Sequence, residues 1–284
     1  MTTRYLNPKN DLAFAKVFGT EKHKEIPIDF LNAALCLEGE DTIIDLEFLN
    51  LRQTPEIDAR KESLVDMLVK DQRGTRYIVE MQVAKVEGFE KRAQYYAAKT
   101  YCAHFNEGGK YYNLKKVIFL AITNYVMFPN KEGYKSDHVI LDNKTYEQDL
   151  KDFSFTFVEL PKFTKKLEEL QTIEDQWYYF LKHADENSNI AEIQSRHPEI
   201  KQAYEILNRY SWTEGELQSY EKSIMNTADA MGRIDAARND ARREERLEIA
   251  KKLLENEMPI DQVIQITGAA EKEIKNLQSQ SSFV

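Results

Sequence analysis

Apolar and polar positions change rhythm several times along this chain, and each change marks an element. DLAFAKVFG places Leu12, Phe14, Ala15 and Phe18 at helical spacing, with Asn10 or Asp11 as a cap and Gly19 as a stop. IPIDFLNAALCL predicts a second helix and IIDLEFLN a strand. Two apolar runs around a turn follow in SLVDMLVKDQRGTRYIVEMQV, Ser63 to Val83, and predict two paired strands. Phe89, Ala93, Tyr96, Ala97, Thr100 and Tyr101 then recur at helical spacing, which predicts a helix over Phe89–Phe105 ended by Gly108-Gly109. LKKVIFLAIT and FSFTFVELP read as further strands, with a weaker one at HVILD between them.

A helix inserted among strands implies an α/β domain, a mixed sheet covered by helices on both faces, over residues 1–163. TKKLEELQTIEDQWYYFLKHA and a helix over Pro198–Tyr210 form a helical extension at residues 164–212, expected to pack on that core. Residues 213–284 carry a long charged helix, Thr213 to Glu257, and a short helical pair around Thr267-Gly268. The balanced charges of the long helix suit a solvated face laced with spaced ion pairs. Its stripe through Ala237 and Ala241 is thin for a coiled-coil seam, so a homodimer rests on little.

Three polar residues interrupt the paired strands: Asp66, Glu80 and Gln82. The loop Gln72-Arg73-Gly74 suits a type I turn closed by a left-handed glycine, which pairs Asp71 with Thr75 and sets Asp66 across from Glu80. A two-residue loop would instead put the acids on opposite faces. In the first register Val65, Met67, Val69, Tyr77, Val79, Met81 and Val83 line one face, and Leu64, Leu68 and Ile78 share the other with the acids. Two facing carboxylates between packed layers repel unless one takes a proton or a divalent cation joins them. Hard oxygen ligands suit Mg²⁺ or Mn²⁺. Alternatively the acids reach water at strand ends, or pair with Arg92 or Lys99 on the next helix.

Composition narrows the classes. The net charge is −9, from 39 Lys and Arg against 48 Asp and Glu, so any nucleic-acid contact must be local rather than a broad basic surface. No apolar run approaches the roughly 18 residues a membrane span needs. The two cysteines, Cys36 and Cys102, lack zinc-ligand spacing, which together with the absent signal pattern predicts a reduced, cytoplasmic protein. The five histidines are scattered, and neither a phosphate-cradling glycine loop nor a serine nucleophile elbow is present.

Asp66, a turn, and then Glu80-Met81-Gln82 resemble the PD-(D/E)XK nuclease core with glutamine at its last position. NDLAFAKVFG, FLNAAL, VEMQV, FEKRAQYYAAKTY, ELPKF and DQWYYFLKHA are similar to the recombination-promoting nuclease (Rpn) family of transposases, over Asn10 to Ala184. A weaker match lies at AKKLLENEMPIDQVIQITGAAEKEI. The resemblance implies a Mg²⁺- or Mn²⁺-dependent DNA endonuclease. It assigns Asp66 and Glu80 as metal ligands, Asp11 as a further acid on the metal, and Gln82 to the position where many relatives carry lysine. It also places Arg92 and Tyr95 toward phosphate.

Glutamine is neutral and only orients water, so a cation from elsewhere is required, with Lys85, Arg92 and Lys99 nearest in sequence. Arg92 and Lys99, about two turns apart, are expected to approach the scissile phosphate. Two rival readings keep the same fold: a catalytically weak DNA-binding or regulatory protein, and a metal-binding interaction protein whose long helix recruits partners. The C-terminal pair resembles a helix-turn-helix, yet Glu271, Lys272, Glu273, Lys275 and Asn276 offer little net charge to DNA, which favours a packing or dimerisation element.

Overall fold

The computed structural model describes residues 3–49, 52–53, 63–103, 110–186 and 197–281. It divides into two compact units, Met1–Ser223 and Ile224–Val284.

In the first unit a mixed sheet is built from β1 (Leu46–Phe48), β4 (Met67–Asp71), β5 (Arg76–Gln82), β6 (Val117–Thr123), β7 (Lys135–Val139) and β8 (Phe153–Glu159). Their order is β1-β4-β5-β6-β8-β7, and a separate ribbon pairs β2 (Arg52–Gln53) with β3 (Ser63–Leu64). The β5–β6 and β6–β8 pairs are parallel and the others antiparallel. This is the mixed, helix-covered sheet that the alternation of elements implied.

The strands at the centre are buried on both sides, as parallel strands between helical layers must be. On one face Met67, Val69, Tyr77, Val79, Met81, Leu120 and Val158 pack against α1 (Asp11–Phe18), α2 (Glu25–Ala34), α4 (Ile173–His183) and α5 (Pro198–Leu207). Phe18, Phe30, Trp177 and Phe180 form an aromatic cluster there with ring centroids 5.0–6.5 Å apart. On the other face Leu68, Ile78, Phe119, Ala121 and Phe157 meet α3 (Phe89–Cys102) through Phe89, Ala93 and Ala97.

Several expectations shift. In α1 the buried face is Ala13, Phe14, Val17 and Phe18, while Leu12 and Ala15 face outward. Val65 joins the α3-side cluster with Leu68 and Ile78 rather than the Met67 face, because it precedes β4 and the pleat does not reach it. The strand expected at HVILD lies earlier, at Lys135–Val139, on the edge of the sheet, where an exposed face offers little apolar alternation to read. The helix expected from Thr164 starts only at Ile173, because Thr172 caps it and forms a reciprocal capping box with Asp175. Helix α5 stops at Leu207, short of Tyr210. Helix α3 ends at Cys102, and the expected stop at Gly108-Gly109 lies outside the described residues.

The second unit takes in most of the long helix α6 (Glu214–Glu255), then α7 (Ile260–Thr267) and α8 (Glu271–Ser281). Ala250, Val263, Ala269 and Ile274 make its small core. The charges of α8 are engaged locally: Lys275 pairs with Glu271, and Glu273 accepts from Arg243.

Candidate active site

The β4–β5 turn fixes the geometry of the site. Gly74 adopts φ +87°, the left-handed conformation that closes a three-residue loop. The Gly74 N–H donates to the Asp71 carbonyl at 3.0 Å, and the Asp71 N–H to the Thr75 carbonyl at 3.0 Å. Buried Asp71 holds the turn from inside, accepting from the Arg73 and Thr75 backbone N–H groups, the Arg73 guanidinium and the Tyr77 hydroxyl. The resulting ladder pairs Met67 with Val79 and Leu68 with Ile78. This is the register expected from the glycine; Asp66 lies in a bend just before β4, and the Met81 N–H bond to its carboxylate holds it beside Glu80 at the end of the ladder.

Glu80 sits in the last turns of the pleat on the α3 side and is 3% exposed. Its Oε2 accepts from the Gln82 amide at 3.0 Å and has a longer contact, 3.5 Å, with an Arg92 terminal nitrogen. Its Oε1 is shielded from solvent and has no hydrogen-bond partner among the described residues. Asp66 Oδ2 accepts from the Met81 backbone N–H at 2.7 Å. Burial, and then the neighbouring Asp66, push the Glu80 carboxyl up to about 8. Burial raises Asp66 to about 6, against the pull of the Met81 N–H. Both carboxyls are raised above their ordinary values, so near neutral pH and without a cation the pair retains proton that two exposed carboxyls would have lost.

Asp11 opens α1 directly after its Asn10 cap, whose side chain accepts from the Leu12 and Ala13 N–H groups. Its charge acts on both Asp66 and Glu80, and desolvation raises its own carboxyl. Asp11 itself is exposed to water. Among the described residues no three His, Cys, Asp or Glu side chains converge closely enough to make a metal cage. The donor set still fits a hard divalent cation. Mg²⁺ commonly takes one or two carboxylates and keeps water for the rest, and Glu80 Oε1 has no hydrogen-bond partner among the described residues that would compete for it.

Of the residues expected to meet phosphate, Arg92 is the one at the acids. Its guanidinium lies over the rings of Phe89 and Tyr96, at 4.8 and 5.9 Å from their centroids. Tyr95 is 59% exposed, its ring 5.9 Å from that of Tyr96. Lys99 is half-buried about 10 Å further along the helix axis, so it does not share the Arg92 position. Lys85 is exposed in the connection before α3. Gln82 is committed to Glu80, and its carbonyl accepts from the Asn124 N–H at 2.8 Å.

Sequence reasoning missed Tyr125 and Glu159. Tyr125 follows β6, level with the Gln82 end of β5. Buried Glu159 accepts from the Met127 and Phe128 N–H groups at 2.7 and 3.1 Å and from Lys162 at 2.8 Å, so it pins the turn that carries Tyr125. Both come from β6 and β8, strands remote in sequence from the Asp66–Gln82 motif, and no local pattern marks them.

The structure thus brings together Asp66 at the entry to β4, Glu80 and Gln82 on β5, and Arg92 from the following helix. The model of the PD-(D/E)XK nuclease family transposases matches residues 8–237. The chain belongs to that family. No curated protein and no solved structure matches it. The mixed sheet and its helical flanks are those of a PD-(D/E)XK transposase family member, and no described helix is long and apolar enough to cross a membrane.

Proposed function

We propose that the chain is a metal-dependent DNA endonuclease that hydrolyses phosphodiester bonds, in keeping with a transposase-like or recombination-promoting role in the cytoplasm. One observation carries it: a buried glutamate and a half-buried aspartate adjoin, with the Asp66 carboxylate held by the Met81 N–H and one Glu80 oxygen without a hydrogen-bond partner among the described residues, at the position that the family motif reserves for its acids. Asp66 and Glu80 would hold Mg²⁺ or Mn²⁺, with Asp11 near enough to add negative potential. When bound, such an ion lowers the pKa of water and neutralises charge on the phosphate.

The chain's own residues account for the rest. Gln82 steadies the Glu80 carboxylate through its amide and leaves no titratable group at the third motif position. Arg92 is the permanent positive charge beside Glu80 and takes the part of shielding the phosphate oxygens as charge builds there. Tyr95 and Lys99, outward and further along α3, suit contact with the flanking strand.

The neutral Gln82 favours one competing reading, a DNA-binding or regulatory protein on the same fold with weak or no catalysis. Supercoiled plasmid separates the two. Wild type supplied with Mg²⁺ or Mn²⁺ is expected to nick or linearise it, EDTA to stop the reaction, and Asp66→Ala to be inert. Retarded plasmid that is never cut, under any metal, gives the field to the binding protein.

A further inference from the structure

Three solvent-shielded polar atoms at the site have no hydrogen-bond partner among the described residues: Glu80 Oε1, Arg92 Nε and the Tyr125 hydroxyl oxygen. A shielded donor or acceptor left without a partner is destabilising, so three in one place call for an explanation. In the nuclease reading Glu80 Oε1 would be taken up by the cation. The other two are complementary to each other: Arg92 Nε–H donates, and a tyrosine oxygen accepts.

Their settings differ in stiffness. Tyr125 is on a turn tied at both ends. The Asn124 N–H is bonded to Gln82, the Thr123 hydroxyl donates to the Tyr125 carbonyl at 2.9 Å, and Glu159 holds the Met127 and Phe128 N–H groups. Arg92 is held loosely. Its polar tether to Glu80 is long at 3.5 Å, and the Phe89 and Tyr96 rings under it allow sliding in their planes. Arg92 and Tyr125 also feel each other electrostatically, the guanidinium opposing the rise that burial imposes on the phenol.

We propose that Arg92 has two seats: the observed one against Glu80, and a second in which its Nε–H donates to the Tyr125 hydroxyl oxygen. Whatever claims the Glu80 carboxylate moves the guanidinium to the second seat, where its two terminal nitrogens are released together toward the phosphate. Tyr125 is thus a positioning residue that acts through Arg92, and Glu159 fixes the turn that presents it. In its bearing on catalysis this rests on the nuclease reading, but the second seat itself is testable without metal.

The test is the Arg92 side-chain Nε–H signal in ¹⁵N-labelled, metal-free full-length protein, assigned by its loss in Arg92→Lys. Removing the first seat with Glu80→Ala should slow exchange of that proton with water at least tenfold, and Glu80→Ala/Tyr125→Phe should abolish the slowing. Equal exchange in the single and double variants overturns the proposal. Folding of each variant is checked by the dispersion of its backbone amide signals. Wild type titrated with Mg²⁺ is then expected to behave as Glu80→Ala does. If it ignores Mg²⁺ while Glu80→Ala shows the Tyr125-dependent slowing, the second seat stands and the metal reading falls. Where plasmid is cut, Tyr125→Phe is expected to lower kcat about tenfold with KM little changed, the loss of one charge-assisted hydrogen bond.

Discussion

Glu80 leans on Arg92 across 3.5 Å, yet burial raises its pKa by more than that guanidinium lowers it. The proton that results has a consequence for stability. Between the ordinary glutamate value of 4.5 and about 8 the folded protein holds this proton more tightly than the unfolded chain does. By linkage, stability falls as pH rises through that window, and Asp66, raised from 3.8 to about 6, adds to the same slope. In EDTA, the urea midpoint of the wild type is expected to drop from pH 5 to pH 8, where each unit of displacement is worth about 1.4 kcal/mol at most. Glu80→Gln should flatten most of that dependence. A wild-type midpoint that rises over this range would contradict the raised Glu80 and Asp66 carboxyls.

Metal binding must dispose of the same proton. At pH 7 a cation taking both carboxylates expels on the order of one proton, and so binds more tightly as pH rises toward 8. Titration calorimetry with Mn²⁺ in two buffers of different ionisation heat should show that release in the wild type and not in Glu80→Gln. Heats independent of buffer would mean that Glu80 is not a ligand.

Gln82→Lys puts an ammonium where the amide now meets Glu80 at 3.0 Å. An opposite charge that close favours the ionised carboxylate and should lower the Glu80 pKa by about one unit or more. The proton release at pH 7 should shrink, and the midpoint of any metal-dependent cleavage should move to lower pH. The pH–rate profile on plasmid decides it, and an unmoved midpoint would place the new ammonium away from Glu80.

Some of this arrangement was legible along the chain. Gly74 demanded a three-residue loop, and that loop alone put Asp66 opposite Glu80. The sheet and its two-sided burial followed from near-continuous apolar strands. What escaped depended on contacts distant in sequence. Val65 changes face because β4 begins after it. Edge strand β7 is half-exposed and so carries no alternation, and the apolar Val139, Ile140 and Leu141 at its end remain exposed. TKKLEELQ has helical composition, but the Thr172–Asp175 capping box starts α4 only after it. Tyr125 acquires its place only when β6 lies parallel to β5, a pairing that no local pattern encodes.

The turn that sets the register can be tested without any ligand. At Gly74, φ is +87°, and an added Cβ would meet the Lys115 side chain at 3.3 Å. Gly74→Ala therefore carries backbone strain as well as a tight contact, and should cost about 1–3 kcal/mol. Gly74→Asn places a side chain in the same space but tolerates the left-handed region better, so it should fall between alanine and wild type. Because the two acids face each other only in this register, Gly74→Ala should also weaken Mn²⁺ binding by more than Gly74→Asn does. Urea midpoints and calorimetric affinities of the three proteins give the order. If alanine matched glycine in both, the left-handed turn would not be what holds Asp66 against Glu80.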